Sequence, residues 1–158
     1  MTVTEGENSY ISLDDADSYF ANRLYTDSWD DSSSDESEKE LALIWATSLM
    51  ENRVKWYGRK TDPSQTLQWP RKGLLDRYGN AVDSNSVPEI VKQVQCELAF
   101  SMMERNPMLI ESGIEKMNLD GLTLNLQGSK QTIPWKIFSP LSVYGELLDG
   151  SATTRLSR

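Results

Sequence analysis

The sequence predicts a mainly α-helical fold: a small bundle of three to four helices with a long loop and a C-terminal extended arm that contains a short β-hairpin. Three observations support this prediction. Apolar residues recur at helical spacing in three separate stretches. Proline and glycine residues interrupt the chain between the second and third stretches. Beyond residue 111 the pattern changes to alternating apolar and polar residues beside an Asp-Gly turn signal.

The first two helices are delimited by capping residues. Ser12 precedes a helix over about residues 13–24, and the acidic residues that follow it match the positive end of the helix dipole. The second helix covers residues 38–57 and stops at Gly58. Its helical wheel has one broad apolar sector, which predicts the buried face, with Thr47 and Glu51 on the opposite, solvated side. The predicted buried residues are Leu41, Ala42, Trp45, Ala46, Leu49, Met50, Trp56 and Tyr57.

The third helix runs over residues 88–105. Pro88 suits its first turn, and Asn106-Pro107 ends it. Cys96 lies beside the apolar stripe of this helix and is predicted to be a small, partly buried side chain. The stripe itself is formed by Ile90, Val91, Val94, Leu98 and Met102.

The remaining chain completes a single domain over residues 1–158. Residues 9–106 form the helical core with the loop 59–88, residues 111–148 form the arm, and residues 149–158 form a flexible tail. The arm is predicted to hold a hairpin around Asp120-Gly121 and a final short helix over 140–148. Its apolar residues either fold back on the bundle or dock onto a neighbouring subunit. These residues are Ile133, Trp135, Ile137, Phe138, Leu141 and Val143.

Composition disfavours an enzyme and a resident cofactor. The chain has no histidine, which removes the commonest general base and the commonest transition-metal ligand. Cys96 is the single cysteine, so neither an intrachain disulfide nor a multi-cysteine zinc site can form. No apolar run approaches the roughly 18 residues that a membrane span needs, and the first ten residues do not resemble a signal peptide. We therefore expect synthesis in a reducing cytoplasm.

The net charge of −8 is unevenly distributed: residues 1–51 carry −11 and residues 52–79 carry +5. These opposite charges either form complementary patches for self-association or are simply solvated. Four aspartates lie in a serine-rich stretch that is predicted to be exposed. An EF-hand calcium loop is disfavoured there, because the central glycine and the closing glutamate are missing. The four are Asp27, Asp30, Asp31 and Asp35.

Two stretches are more specific than periodicity explains. Residues 10–20 read YISLDDADSYF, and residues 56–59, WYGR, are followed by QTLQWPR at 65–71. A weaker stretch is VPEIV at 87–91, leading to ELA at 97–99. In this order and spacing they resemble the head–tail adaptors of tailed bacteriophages, also called head-completion or connector proteins. Some members of this family are labelled DnaT-like single-stranded-DNA-binding proteins.

The resemblance implies a structural protein of the virion neck that is made in the host cytoplasm. Such a protein forms a ring, commonly of twelve copies, beneath the portal. Its expected partners are further copies of itself, the portal protein, the next neck or tail-completion protein and passing double-stranded DNA. On this basis the four aspartates are expected to be exposed or to face the DNA channel, where they would repel phosphates.

The same resemblance suggests that the loop and the arm make the subunit and portal contacts. Trp69 would be an anchor and Arg71 would pair with a carboxylate of an adjacent copy; the alternative is that Trp69 caps its own bundle and Arg71 is solvated. The predicted interface comprises Gln65, Leu67, Trp69, Pro70, Arg71, Trp135, Ile137 and Phe138.

A second function is a single-stranded-DNA-binding replication accessory protein. Basic and aromatic residues interleave between residues 53 and 72, as in proteins that bind phosphates with cations and stack bases on rings. The cations would be Arg53, Lys55, Arg59, Lys60, Arg71 and Lys72, and the stacking rings would be Trp56, Tyr57 and Trp69.

Overall fold

A computed structural model describes residues 2–31, 35–104, 116–119, 122–125 and 135–148. Its fold is mainly α-helical with short strands, as predicted. The helices are α1 (Leu13–Ala21), α2 (Asp27–Asp30), α3 (Glu36–Arg53), α4 (Glu89–Glu104), α5 (Trp135–Phe138) and a 3-10 helix at Ser139–Val143. The strands are β1 (Val54–Trp56), β2 (Arg59–Lys60), β3 (Arg71–Lys72), β4 (Lys116–Leu119), β5 (Leu122–Asn125) and β6 (Gly145–Leu147).

Helix α1 begins where its cap predicts. The Ser12 hydroxyl accepts a hydrogen bond from the Asp15 N–H at 3.2 Å, which satisfies one of the free donors of the first turn. The helix ends at Ala21, three residues before the predicted end at 24. Leu24 and Tyr25 therefore lie outside the helix and are exposed.

Helix α3 is shorter at its C-terminus than the sequence predicts. Residues 54–56 leave the helix and form β1, which pairs antiparallel with β6. The prediction that Leu41 and Trp45 are buried is wrong, because they are 44% and 55% exposed. Helix α3 packs chiefly on α4 and buries only a narrow stripe. That stripe is Ala42, Leu43, Ala46, Thr47 and Met50, so the prediction of a solvated Thr47 is also wrong.

Helix α4 follows Pro88 as predicted, and the carbonyl of Pro88 accepts the N–H of Val91 at 2.9 Å. Val91, Val94 and Leu98 of the predicted stripe are buried, whereas Ile90 and Met102 are half-buried. Cys96 is fully buried and not partly buried, because other elements cover α4 on more than one side. Burial raises the pKa of its thiol to about 12.

The strands form three separate two-stranded ribbons, β1–β6, β2–β3 and β4–β5, all antiparallel. The β4–β5 ribbon confirms the predicted hairpin around residues 120–121. The final short helix predicted over 140–148 is instead a 3-10 helix followed by β6. The loop 59–88 is less irregular than predicted, since it contains β2, β3 and a bridge between Leu75 and Ala81.

The end of the arm folds back on the bundle. Helix α5 and the 3-10 helix contact α4, and Phe138 and Leu141 are buried within the chain. Ile133, the side chain of Trp135 and the predicted tail 149–158 lie outside the described residues. Within the described ranges, no helix combines the length and apolarity needed to cross a bilayer.

Two features connect the helices in the core. Phe20 of α1 stacks on Trp29 of α2 at 4.2 Å between ring centroids and lies 5.7 Å from Phe100 of α4. The buried amide of Gln95 donates to the Ser9 hydroxyl at 2.7 Å and to the Leu43 carbonyl at 3.1 Å, and it accepts the Tyr10 N–H at 3.0 Å. This one side chain therefore joins the N-terminal segment to both long helices.

Candidate functional site

Glu51, on the last turns of α3, holds the N-terminal segment and the loop together. Its carboxylate accepts the Gln68 N–H at 3.1 and 3.2 Å and the hydroxyl of Tyr10. Burial raises the pKa of Glu51, and these hydrogen bonds and the charges of Lys60 and Arg71 act against that rise. The sequence placed Glu51 on the solvated side of its helix, but the structure half-buries it.

Arg71 is buried and hydrogen-bonds within its own chain. Its guanidinium donates to the carbonyls of Tyr57 at 2.7 Å, Gly58 at 3.0 Å and Gln68 at 3.1 Å, and to the Gln68 amide oxygen at 2.8 Å. Desolvation lowers the pKa of Arg71. Both predictions for this residue are wrong, because a side chain that is 6% exposed is neither solvated nor offered to a neighbouring carboxylate.

Trp69 is buried at 1% exposure and packs edge-to-face against Trp56 at 5.5 Å and Tyr144 at 5.6 Å. It follows that Trp69 caps its own bundle, and its prediction as a surface anchor is wrong. Leu67 and Phe138 are buried in the same way and offer little surface to a partner. Gln65, Pro70 and Ile137 are half-buried, and the side chain of Trp135 lies outside the described residues.

The motifs that carry the family resemblance therefore meet in space. Tyr10 comes from the first motif, and Gly58 and Arg71 come from the second. Glu51 belongs to neither motif; it accepts the Tyr10 hydroxyl and is close enough to Arg71 for that charge to act on its pKa. Gly58 has φ +64°, and a Cβ atom there would lie 2.6 Å from the Lys72 carbonyl oxygen. The specificity of these residues is thus explained first by the fold, which needs each of them at this junction.

The outer side of the same junction is basic and carries one exposed aromatic ring. Lys55 and Tyr57 are exposed and alternate with the buried side chains of Val54 and Trp56, as in an extended chain. The chain then turns at Gly58, and Arg59 is exposed at the start of β2. Arg59 pairs with Lys72 across the β2–β3 ribbon, so these two side chains share one face. We name Lys55, Tyr57, Arg59 and Lys72 the basic stripe.

The residues of the basic stripe differ in their exposure and in the contacts that restrain them. Tyr57 is 41% exposed, and its N–H donates to the Tyr144 carbonyl, which anchors the backbone beneath the ring. Lys72 is half-buried and donates to the Thr61 carbonyl at 3.0 Å. Lys60, which is not part of the stripe, donates to the Gln65 carbonyl at 3.1 Å. Lys55 lies opposite Glu146 of β6.

The predicted acidic residues lie at the other end of α3. Asp27 and Asp30 are on α2, Asp31 follows it, and Asp35 precedes α3; all four are exposed. Whether they face a DNA channel stays a prediction. Within the described part of the chain, no group of three or more Asp, Glu, Cys or His residues is placed to hold a metal ion.

The chain is thus a small, mainly helical protein. Its β1–β6 and β2–β3 ribbons carry the basic stripe, and helices α3 and α4 form its core. A family model described as "Putative DnaT-like ssDNA binding protein" matches residues 2–139. The chain belongs to this family. No curated protein and no solved structure matches it.

Proposed function

We propose that the chain binds single-stranded DNA through the basic stripe. One observation carries this proposal: within residues 55–59, which join β1 to β2, an exposed tyrosine lies between two exposed cations, and a third cation lies opposite Arg59 on β3. Proteins that bind single strands without sequence preference combine cations that follow the phosphates with rings on which bases stack. The family description supports the same function.

Only some of the basic and aromatic residues between 53 and 72 are exposed enough to contact DNA. Trp56, Trp69 and Arg71 hold the junction together and cannot reach a nucleotide while they are buried. Tyr57 is left as the stacking ring, and Lys55, Arg59 and Lys72 are left as phosphate contacts. Because the chain carries a net charge of −8, acidic surfaces elsewhere oppose nucleic acid and binding is confined to this stripe.

The proposal is tested by comparing two exposed tyrosines. Fluorescence anisotropy with a labelled oligothymidine would measure the affinity of the wild type, Tyr57→Ala and Tyr78→Ala. Tyr78 is the matched control, because it is 81% exposed beside a basic residue but lies outside the stripe. A stacked base contributes about 1–3 kcal/mol, so Tyr57→Ala should weaken binding by about 5- to 150-fold, while Tyr78→Ala leaves it unchanged. Equal effects of the two variants would contradict the assignment.

We propose as a second function a head–tail adaptor of a tailed bacteriophage. Its support is the motif resemblance over residues 10–20, 56–71 and 87–99, together with exposed apolar and acidic side chains that a neck assembly could use. The partners would be further copies of the chain in a ring, the portal, the next neck protein and passing duplex DNA. In either function the protein would be non-enzymatic and would need no cofactor.

The adaptor function is tested by particle size. Light scattering and negative-stain imaging would be applied to the protein alone and mixed with portal protein. Rings, or a portal complex larger than the portal itself, would support the adaptor. If the protein forms no complex with the portal but binds oligonucleotide, the adaptor function is contradicted and single-stranded-DNA binding is supported.

A further inference from the structure

An open groove of about 390 Å³ lies beside the β1–β6 ribbon. Two buried apolar side chains, Phe138 and Leu141, line its floor, and Tyr57 of the basic stripe lines it as well. Its volume falls within the range of about 300–1,000 Å³ in which small-molecule sites are found. The groove can therefore accommodate a nucleobase, and it is continuous with the surface proposed above to bind DNA.

Polar side chains lie among the apolar residues of this groove. Glu146 of β6 is exposed, and it is the one charged side chain among the described residues that line the groove. Ser139 and Ser142, both exposed, contribute hydroxyl groups. An apolar surface with a small number of polar groups is typical of sites that bind a flat ligand and fix its orientation through its polar edge.

Glu146 lies close to the basic stripe along the ribbon. It is directly opposite Lys55 in the antiparallel pairing of β1 with β6, and opposite residues of two paired strands share one face. Two residues from Lys55, the Tyr57 N–H donates to the Tyr144 carbonyl at 2.8 Å. A cation, an aromatic ring and a carboxylate are thus presented together, and the charge of Lys55 offsets the repulsion between Glu146 and a phosphate.

A carboxylate at the edge of a stacked base discriminates between bases, because it only accepts hydrogen bonds. Guanine carries two adjacent donors, N1–H and N2–H, on its Watson–Crick edge, and they match the two oxygens of a carboxylate in the bidentate arrangement that strong charge-assisted pairs adopt. Adenine and cytosine place an acceptor nitrogen beside their amino group, and thymine places its one N–H between two carbonyl oxygens. The hydroxyl of Ser139 or Ser142 can donate to the guanine O6, which a carboxylate cannot do.

We propose that the groove holds a guanine base, which stacks on Tyr57 and donates N1–H and N2–H to Glu146. This inference rests on the proposed binding of single-stranded DNA and deepens it, because it gives the site a preferred base. The cations of the stripe hold the phosphates whatever the sequence, and Glu146 is the residue that determines specificity.

The test compares guanine with hypoxanthine, a purine of similar stacking surface that lacks the N2 amino group. Fluorescence anisotropy would measure the affinity of the protein for two labelled single strands, one that alternates thymine with guanine and one that alternates thymine with hypoxanthine. Alternation places a purine within one nucleotide of the groove however the strand is positioned. The measured quantity is the ratio of the two affinities, because a change in overall charge alters both affinities alike.

Glu146→Ala removes the acceptor, and Asp62→Asn is the matched control. Asp62 is an exposed acid within the same basic segment but outside the groove, and asparagine keeps the turn that the Asp62 side chain forms with Ser64. We expect the wild type and the control to prefer guanine by about fivefold, at the lower end of what a base-edge contact provides. Glu146→Ala should bind the two strands equally. Circular dichroism would check that each variant folds.

Equal affinities of the wild type for the two strands would overturn the proposal. A guanine preference that survives in Glu146→Ala would overturn it as well and would leave Glu146 as a cross-strand partner of Lys55. Oligothymidine separates this failure from a failure of the proposed function: a wild type that binds oligothymidine through Tyr57 but does not distinguish the two purines retains DNA binding without the guanine site. A wild type that binds none of these strands contradicts both.

Discussion

Gly58 shows at the scale of one residue why the WYGR motif needs its glycine. Replacing it with alanine would force a left-handed backbone on a residue with a Cβ atom, at about 1–2 kcal/mol. That atom would also lie 2.6 Å from the Lys72 carbonyl oxygen and 3.0 Å from the Leu74 side chain. We expect Gly58→Ala to lower the free energy of unfolding by more than about 2 kcal/mol, measured by urea denaturation.

Gly73 supplies the control for this prediction. Its φ is +80°, but a Cβ atom there meets nothing within 4 Å. Gly73→Ala should therefore cost only the conformational term of about 1–2 kcal/mol. If the two variants were equally stable, close contact with Lys72 would not be the reason for glycine at residue 58.

Glu51 gives a prediction for pH dependence. Its pKa is raised above the ordinary value of 4.5, with burial as the largest cause. A raised folded-state pKa means that the contribution of Glu51 to stability is complete below the unfolded pKa and is lost as pH rises through the folded pKa. Relative to Glu51→Gln, the wild type should therefore lose stability as pH rises from the unfolded pKa of Glu51 through its raised folded pKa.

Urea denaturation of both proteins across this pH range measures the difference directly, because titration of every other group is common to the pair. The difference in unfolding free energy, wild type minus variant, should fall as pH rises. A difference that grows with pH would mean that the hydrogen bonds from Tyr10 and Gln68 outweigh burial, and it would contradict the assignment.

At the scale of elements, Gln95 is the side chain that joins the N-terminal segment, α3 and α4. Gln95→Met keeps the volume but leaves the Tyr10 N–H and the Leu43 carbonyl without this partner in a buried site. An unsatisfied buried group costs about 1–3 kcal/mol, so we expect a loss of about 2–3 kcal/mol in thermal or urea unfolding. Gln93→Met, at a half-buried position on the same helix, should change stability by less than about 0.5 kcal/mol.

The elements also show where sequence reasoning succeeds. The start of α1 at Ser12 and the start of α4 after Pro88 are local signals, and both are found in the structure. The predicted hairpin is found as the pairing of β4 with β5. The end of α3 could not be predicted in this way. Trp56 continues the helical spacing, but residues 54–56 form β1 because β6, far along the chain, pairs with them.

At the scale of the whole molecule, the basic segment and the aromatic motifs were correctly singled out as belonging to one region. Which of these residues are buried and which are exposed could not be predicted from the sequence, because burial here depends on contacts from α3, the N-terminal segment and the arm. Arg71 is buried because the carbonyls of Tyr57, Gly58 and Gln68 converge on it, whereas Arg59 is exposed. Composition alone treats these two arginines as equivalent.

The salt dependence of oligonucleotide binding tests the central claim most directly. Each neutralised phosphate on a single strand contributes about −0.7 to the slope of log affinity against log salt, so the three cations of the stripe predict a slope of about −2. Lys55→Gln, Arg59→Gln and Lys72→Gln together should bring that slope close to zero and weaken binding at low salt. An unchanged slope in the triple variant, or no binding by the wild type at low salt, would contradict the account.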